Sequence, residues 1–574
     1  MKLIFKYMKP YRGKLILLAF FYLISAATSL ALPYLMSIIV DDGIKASNMN
    51  VVWIAGAAMV GIGLVSLVLS LFSNKITARV SAEYMASLRK DIFKKINSLS
   101  FEEFSSKGTA ALLARSTEDV WMLQEASSGL VYFLVVVPVM FIGGIILTMV
   151  NDMTLGFILL GVSPVVIGII TLIGRKMFKL WRKADESMDL QGKVMRERLS
   201  GIRVIRSFDK EKHEHDRVAD ATENMAKNII KSNVLSGFID PVAQLLLNAV
   251  TVLIMFFGAQ KMQLAGILTA GDIIATTQYV AVMMGGLLHL GFMIIFFPQV
   301  LVSSGRVKEV FDMKGIEMGS SSGEILPGSV TFENVDFAYP QASASSLTDI
   351  SLEIKEGEVV GIIGGTGSGK TTLMKLLMNF YTPTKGKITL GGKDMAELSK
   401  ATVRDNVSIA LQKAMIFQGS IDYNVRLGRQ DATDGEINEV CDIAQMQELI
   451  DSKEGGLKHK LAQAGANVSG GQKQRVSIAR SILKKASIYV FDDSFSALDY
   501  LTESKLRKKL NKFLKGKTQI IITQRAATAM RCDKVFVMEE GAVVGYGTHK
   551  ELLKNCETYK EIYASQLGGG LKND

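Results

Sequence analysis

Cysteine and proline are scarce in this chain of 574 residues, with three and nine copies respectively. The cysteines, Cys441, Cys532 and Cys556, all fall in the C-terminal half. Their spacing fits no metal site, and a cytosolic domain keeps them reduced. Proline is absent from residues 75–125 and 175–240, and glycine is sparse there. Structureless loops of that length are uncommon, so these charged stretches are expected to be helices that run on and turn back as two hairpins. The most informative lack is of charge. Residues 15–40, 51–74, 126–151, 154–174, 241–260 and 273–305 contain no Asp, Glu, Lys or Arg, although His289 sits in the last. Each run is about 20 residues or more, enough to cross a hydrocarbon core.

Six spans put both chain ends on one side of a bilayer. The basic residues choose the side. Lys2, Lys6, Lys9, Arg12 and Lys14 precede the first run, and Arg175, Lys176, Lys179, Arg182 and Lys183 follow the fourth. The short connections 41–50 and 151–153 carry one Lys between them. A multi-pass protein of the inner or plasma membrane follows, with both termini and the C-terminal half cytoplasmic. The net charge of +11 then has a plain origin, and no nucleic-acid reading module accompanies it. The opening MKLIFKYMKPYRGK resembles the basic start of a signal peptide, but the apolar run after it is too long. It reads as a short interfacial helix.

The rest of the chain is soluble in character. Residues 313–328, rich in Gly and Ser, read as a linker after a membrane domain of residues 1–312. Strand-like stretches such as SVTFENVDFAY then alternate with helical ones such as TTLMKLLMNF, so residues 329–574 read as an α/β domain. GEVVGIIGGTGSGKTTLMKLL holds G-x-x-x-x-G-K-T from Gly364 to Thr371, between an apolar strand and an amphipathic helix. That context makes a phosphate-binding loop. Backbone amides of Gly364, Gly365, Thr366, Gly367, Ser368 and Gly369 wrap phosphates, Lys370 neutralises the β- and γ-phosphates, and Thr371, followed by Thr372, holds Mg²⁺. A second anion-binding helix start, Ser469-Gly470-Gly471-Gln472, lies about 100 residues on. SIYVFDDSFSALD reads as a buried strand that delivers Asp492 and Asp493 to a nucleotide.

With these motifs in place, the chain resembles one half-transporter of the ATP-binding cassette (ABC) exporter family over nearly its whole length. The resemblance implies a helical six-span domain fused to a P-loop ATPase, with ATP and Mg²⁺ as cofactors. It implies that Tyr339 stacks on adenine and that Gln412 and Asp492 contact Mg²⁺. Ser469 to Gln472 match the signature motif, and Asp499 matches the D-loop. Residues 115–124 and 201–214 resemble the coupling helices that dock on the cassettes. Family members pair cassettes head to tail, each ATP lying between one chain's P-loop and the other's signature.

Three positions depart from the family pattern. Asp493 stands where the family has a catalytic Glu, Gln524 where it has the switch His, and LAQAGAN (461–467) replaces an acidic, Gly-rich stretch. Shortening Glu to Asp withdraws the carboxylate by over ~1 Å, a misplacement that can cost about 10²-fold in rate. Gln524 can donate a hydrogen bond but cannot carry the charge of a His. Both changes fall on the ATP of this chain's own P-loop, whereas its signature serves the partner's. The expected assembly is a heterodimer with a different half-transporter, and the chain resembles the degenerate-site subunit of bacterial multidrug-type exporters. Export of hydrophobic or amphipathic small molecules is expected. The alternatives are export of a specific lipid, peptide or porphyrin-like metabolite, or a non-transporting regulator or channel on the same fold. Gln244, Asn248, Gln278, His289 and Gln299, polar residues in or near spans five and six, are candidates for substrate contact.

Overall fold

The computed structural model describes residues 2–265, 268–315, 323–340 and 342–567. The chain forms two compact units, Met1–Asn97 with Gly108–Met313, and Ser98–Lys107 with Lys314–Asp574. Residues 316–322 of the expected linker lie outside the described residues.

The first unit is helical. A short helix α1 (Lys2–Met8) leads through a Pro10-containing turn into α2 (Arg12–Ile38). Next come α3 (Met49–Asn97), α5 (Thr109–Asn151), α6 (Met153–Ser200), α7 (Ile202–Ser207), α8 (Glu211–Gly237), α9 (Ile239–Ala265) and α10 (Ala270–Asp312), while the short α4 (Phe101–Lys107) between α3 and α5 belongs to the second unit. At 49 residues, α3 is roughly 74 Å long at a rise of 1.5 Å per residue. A bilayer core is about 30 Å thick, so such helices extend far beyond it. The proline-free charged stretches are thus helical. Among the described residues, five helices are long and apolar enough to cross a membrane, against the six spans read from the sequence. The sixth run, 273–300, lies within α10, where the side chains of 288 and 290–295 are outside the described residues.

One boundary differs from the sequence reading. Residues 115–124, expected as a coupling helix, form the uninterrupted interior of α5. The chain turns earlier, at 98–108, where Gly108 takes a φ of 75° and the short α4 intervenes. Asp119, Val120 and Leu123 are buried along α5, so the charged stretch hides a packing face that its composition masks. The second expected coupling segment, 201–214, does contain a short helix, α7, flanked by Gly201 and Phe208, with Asp209 at a φ of 51° just after it.

The second unit carries two main sheets. Strands β1 (Val330–Phe337), β2 (Leu347–Ile354), β4 (Lys385–Leu390) and β5 (Lys393–Asp394) form an antiparallel sheet in the order β2-β1-β4-β5. Strands β3 (Val359–Gly364), β6 (Val407–Ala410), β9 (Ile488–Asp492), β10 (Thr518–Thr523), β11 (Lys534–Glu539) and β12 (Ala542–Gly547) form the larger one. Its order is β12-β11-β3-β10-β9-β6, parallel except for β12. A minor pair, β7 (Gly419–Ser420) and β8 (Lys460–Leu461), stands apart. Parallel strands covered on both faces read as continuous apolar runs, and every residue of β9 and β10 is buried. The register sets Asp492 beside Ile522 and Thr523 beside Ile363. The C-terminal ends of β3, β9 and β10 therefore share one edge, where open α/β sheets place ligands.

Candidate functional site

At that edge β3 turns into α11 (Lys370–Leu377) through a glycine-rich loop. Gly369 takes a φ of 95°, and a Cβ there would lie 2.7 Å from a Leu347 methyl. Only glycine meets both demands. The loop borders a cavity of about 560 Å³. Residues 366–372, Gln412, Asp492, Asp493 and Gln524 all line it. The structure thus brings together sequence-selected residues spread over 158 positions, from Thr366 to Gln524, within a wall that runs from Ala344 to Gly541.

Electrostatics at the floor of the cavity are dominated by burial. The Lys370 ammonium donates to the carbonyl oxygens of Gly364 at 2.9 Å and Gly365 at 2.6 Å, and to Ser368 Oγ at 3.1 Å. Desolvation draws its pKa below the ordinary lysine value, with the charges of Asp492 and Asp493 opposing that shift. Asp492 is buried at the end of β9, and desolvation, then the neighbouring Asp493 charge, pushes its carboxyl up to about 6. Asp493 has a φ of 44°, a left-handed conformation that short polar side chains tolerate best. Its amide donates to the Ile522 carbonyl oxygen at 2.8 Å, which pins it to β10. Among the described residues, no group of three or more His, Cys, Asp or Glu forms a metal cluster. The oxygen donors of Thr371, Gln412 and Asp492 line one cavity, a hard donor set that fits Mg²⁺ alongside phosphate oxygens.

Other sequence-selected residues lie elsewhere. Gly364 and Gly365 support the loop from below through their carbonyls. Tyr339 does not line the 560 Å³ cavity; its hydroxyl lies 3.0 Å from Thr372 Oγ1 and accepts from Lys375 at 3.2 Å. It lines a second cavity of about 390 Å³, together with Tyr381, Pro340 and the α4 residues Glu102, Glu103, Ser105 and Ser106. Ser469 caps the helix Gly470–Leu483, exchanging hydrogen bonds with Gln472. Ser469 and Gly470 are exposed and outside the Lys370 cavity. Asp499 caps the helix Tyr500–Phe513, and its bonds to Thr502 hold its carboxyl below the usual range. In the membrane-type unit, Gln244 donates to Asn248 one turn on, at 3.0 Å. His289 is exposed, with Nδ1 2.7 Å from the Gly285 oxygen and its ring 5.5 Å from that of Tyr132. Gln278 and Gln299 are half-buried on α10.

The sequence reading missed Ser345, Ser346, Glu540 and Gly541 on the cavity wall. The available signal was the EEG turn before an alternating strand. Gly541 has a φ of 82° and its oxygen accepts from Thr348, which locks the β11–β12 turn against the start of β2.

Comparison with known proteins covers both units. A family described as the ABC transporter transmembrane region matches residues 15–287, and one described as ABC transporter matches residues 347–496. The chain is 33% identical to the uncharacterized ABC transporter ATP-binding protein YfiB of Bacillus subtilis, with 98% of each chain covered. It is 28% identical to an ATP-dependent lipid A-core flippase of Chromobacterium violaceum, covering 95% of this chain and 93% of that one. A bacterial Atm1-family ABC exporter with ATP bound has the same fold, with a TM-score of 0.84 at 23% identity over 98% and 99% of the two chains.

Proposed function

The chain belongs to the ABC transporter family as an exporter-type half-transporter, and on that premise we propose that it binds Mg·ATP tightly in its own site and hydrolyses it poorly. The observation that carries this is the mixed character of one cavity. Lys370, Thr371 and Asp492, which bind, stand beside Asp493 and Gln524, which replace the residues that activate and sense the reacting phosphate. Lys370 leaves the carbonyls of its own loop for phosphate oxygens, a charge-assisted exchange. Thr371, Gln412 and Asp492 would hold Mg²⁺, which would supply neutralisation of phosphate charge. Asp493 is too short to reach an attacking water held for a glutamate, a shortfall of about 1 Å that costs on the order of 10²-fold. Gln524 donates a neutral hydrogen bond to the γ-phosphate and adds no charge.

The exposed Ser469–Gln472 helix start, outside this cavity, supports its use by a second chain's ATP. A different half-transporter with Glu and His at the matching positions then forms a heterodimer with one degenerate and one competent site. The membrane-type unit carries amphipathic or hydrophobic molecules across the cell membrane, with the cassette and both termini cytoplasmic. Two relatives named as lipid A-core flippases favour a lipid amphiphile as the second reading of the cargo. His289, exposed with its ring 5.5 Å from that of Tyr132, is a polar candidate for contacting it, beside Gln244 and Asn248, which share one hydrogen bond. The test is asymmetry. In the heterodimer, the partner's Glu→Gln change should nearly abolish hydrolysis and Asp493→Asn should have a mild effect. Equal losses would refute the reading.

A further inference from the structure

The segment that carries Gln524 is held by the last helix of the described residues, Glu557–Leu567. Gln566 Nε2 donates to the Gln524 carbonyl oxygen at 2.7 Å, and the Ala526 amide donates to Gln566 Oε1 at 2.8 Å. One carboxamide thus brackets Arg525 and fixes the backbone on both sides of it.

Each half of this clamp answers a local need. Ala526 begins the short helix Ala526–Ala529, and the first amides of a helix have no partner within it. The residue in the capping position is Arg525, whose side chain carries donors only and makes no cap. The Ala526 amide is the first of the helix, out of reach of any side-chain cap at 525, and finds its acceptor in Gln566, 40 positions away in sequence. Ala526 is fully buried, so an unpaired amide there would be costly. Arg525 turns the other way, to the Ser496 carbonyl oxygen at 2.7 Å and to Glu503 at 3.4 Å. The clamping helix is itself anchored. Tyr559 is wholly buried, with its hydroxyl 2.9 Å from His549 Nδ1, and Cys556 is buried at its start.

We propose that Gln566 is a positioning residue for Gln524, so that the C-terminal helix sets how the switch side chain meets the terminal phosphate of ATP. This rests on the reading of Gln524 as the γ-phosphate contact of this chain's own site. The consequence is that recognition of ATP over ADP depends on a residue outside the nucleotide cavity.

The experiment measures equilibrium binding of Mg·AMP-PNP and Mg·ADP to the full-length chain. Gln566→Met keeps the volume and removes both hydrogen bonds. It should lower the preference for the triphosphate about 3- to 10-fold, the weight of an ordinary hydrogen bond or two, while ADP affinity stays constant. Amide exchange at Ala526 should accelerate. Gln566→Glu keeps the acceptor for Ala526 but turns a second oxygen toward the Gln524 carbonyl. It should lose the same preference yet keep Ala526 slow to exchange, which separates switch positioning from loss of the fold. Gln524→Ala provides the reference. If it lowers the preference and both Gln566 variants match the wild type, the clamp has no positioning role. If Gln524→Ala itself leaves the preference unchanged, the reading of Gln524 fails and takes the proposal with it.

Discussion

The Lys370 ammonium donates to the Gly365 carbonyl oxygen at 2.6 Å, inside the loop that Lys370 itself terminates. The loop and its cation thus form one hydrogen-bonded unit. Replacing Lys370 with Ala removes three hydrogen bonds and the buried charge. Charge-assisted hydrogen bonds are worth about 1.5–3 kcal/mol, so Mg·ATP affinity should fall roughly 10- to 100-fold. Titration of the full-length variant with a non-hydrolysable analogue checks this.

Asp492 gives the site a pH dependence of known sign. Its folded-state value, pushed to about 6 from an ordinary 3.8, means that the folded protein binds its proton more readily than the unfolded chain. The ionised form therefore destabilises the fold above about pH 6, and that penalty is relieved as pH falls through this value. Mg²⁺ binding runs the other way, because the metal needs the carboxylate. Mg²⁺-dependent nucleotide affinity should be flat above pH 7 and drop toward about tenfold per pH unit below about 6. Asp492→Asn should remove the part of this drop that belongs to the carboxylate and leave the titration of the nucleotide's own terminal phosphate, as titrations across pH 5–8 would show.

Tyr339 is held by a wall that the sequence does not reveal. Lys375 donates to its hydroxyl at 3.2 Å and lies 5.1 Å from its ring centre, while Tyr381 packs edge-on at 5.3 Å. Tyr381 in turn meets Phe101 of α4 at 5.7 Å. If this wall orients Tyr339 toward adenine, Lys375→Met and Tyr381→Leu should weaken Mg·ATP binding several-fold and leave Mg·tripolyphosphate binding unchanged. Aromatic contacts of this kind are worth about 0.5–1.5 kcal/mol. Equal losses for both ligands would show a general disturbance of the loop.

Legibility in the sequence followed the range of the interactions. The phosphate-binding loop, the acidic strand end and the signature start are contiguous motifs, and each lies on the element expected of it. The long charged helices were readable from missing proline. The turn at 98–108 was not, because α5 buries Asp119, Val120 and Leu123 inside a stretch that reads as a polar tip. Ser346, Glu540 and Gln566 reach the site region only through strand order and the packing of the last helix, which no local pattern encodes.

Restoring the two altered residues should restore turnover. The chain keeps the Ser469–Gln472 helix start, so on the proposed reading two copies of an Asp493→Glu, Gln524→His variant would bring the missing carboxylate and imidazole to that start. Its ATPase rate should exceed that of the unaltered chain by about 10²-fold, the cost assigned to the ~1 Å withdrawal. Either substitution alone should recover less than the pair.

The central claim, that this chain's own site binds ATP tightly and hydrolyses it poorly, is tested most directly by one paired measurement on the purified full-length chain alone. Nucleotide occupancy and steady-state phosphate release are recorded on the same sample. The expected result is saturable Mg·ATP binding with little phosphate release. Robust turnover by the unaltered chain, at a rate matching the Asp493→Glu, Gln524→His variant, would contradict it.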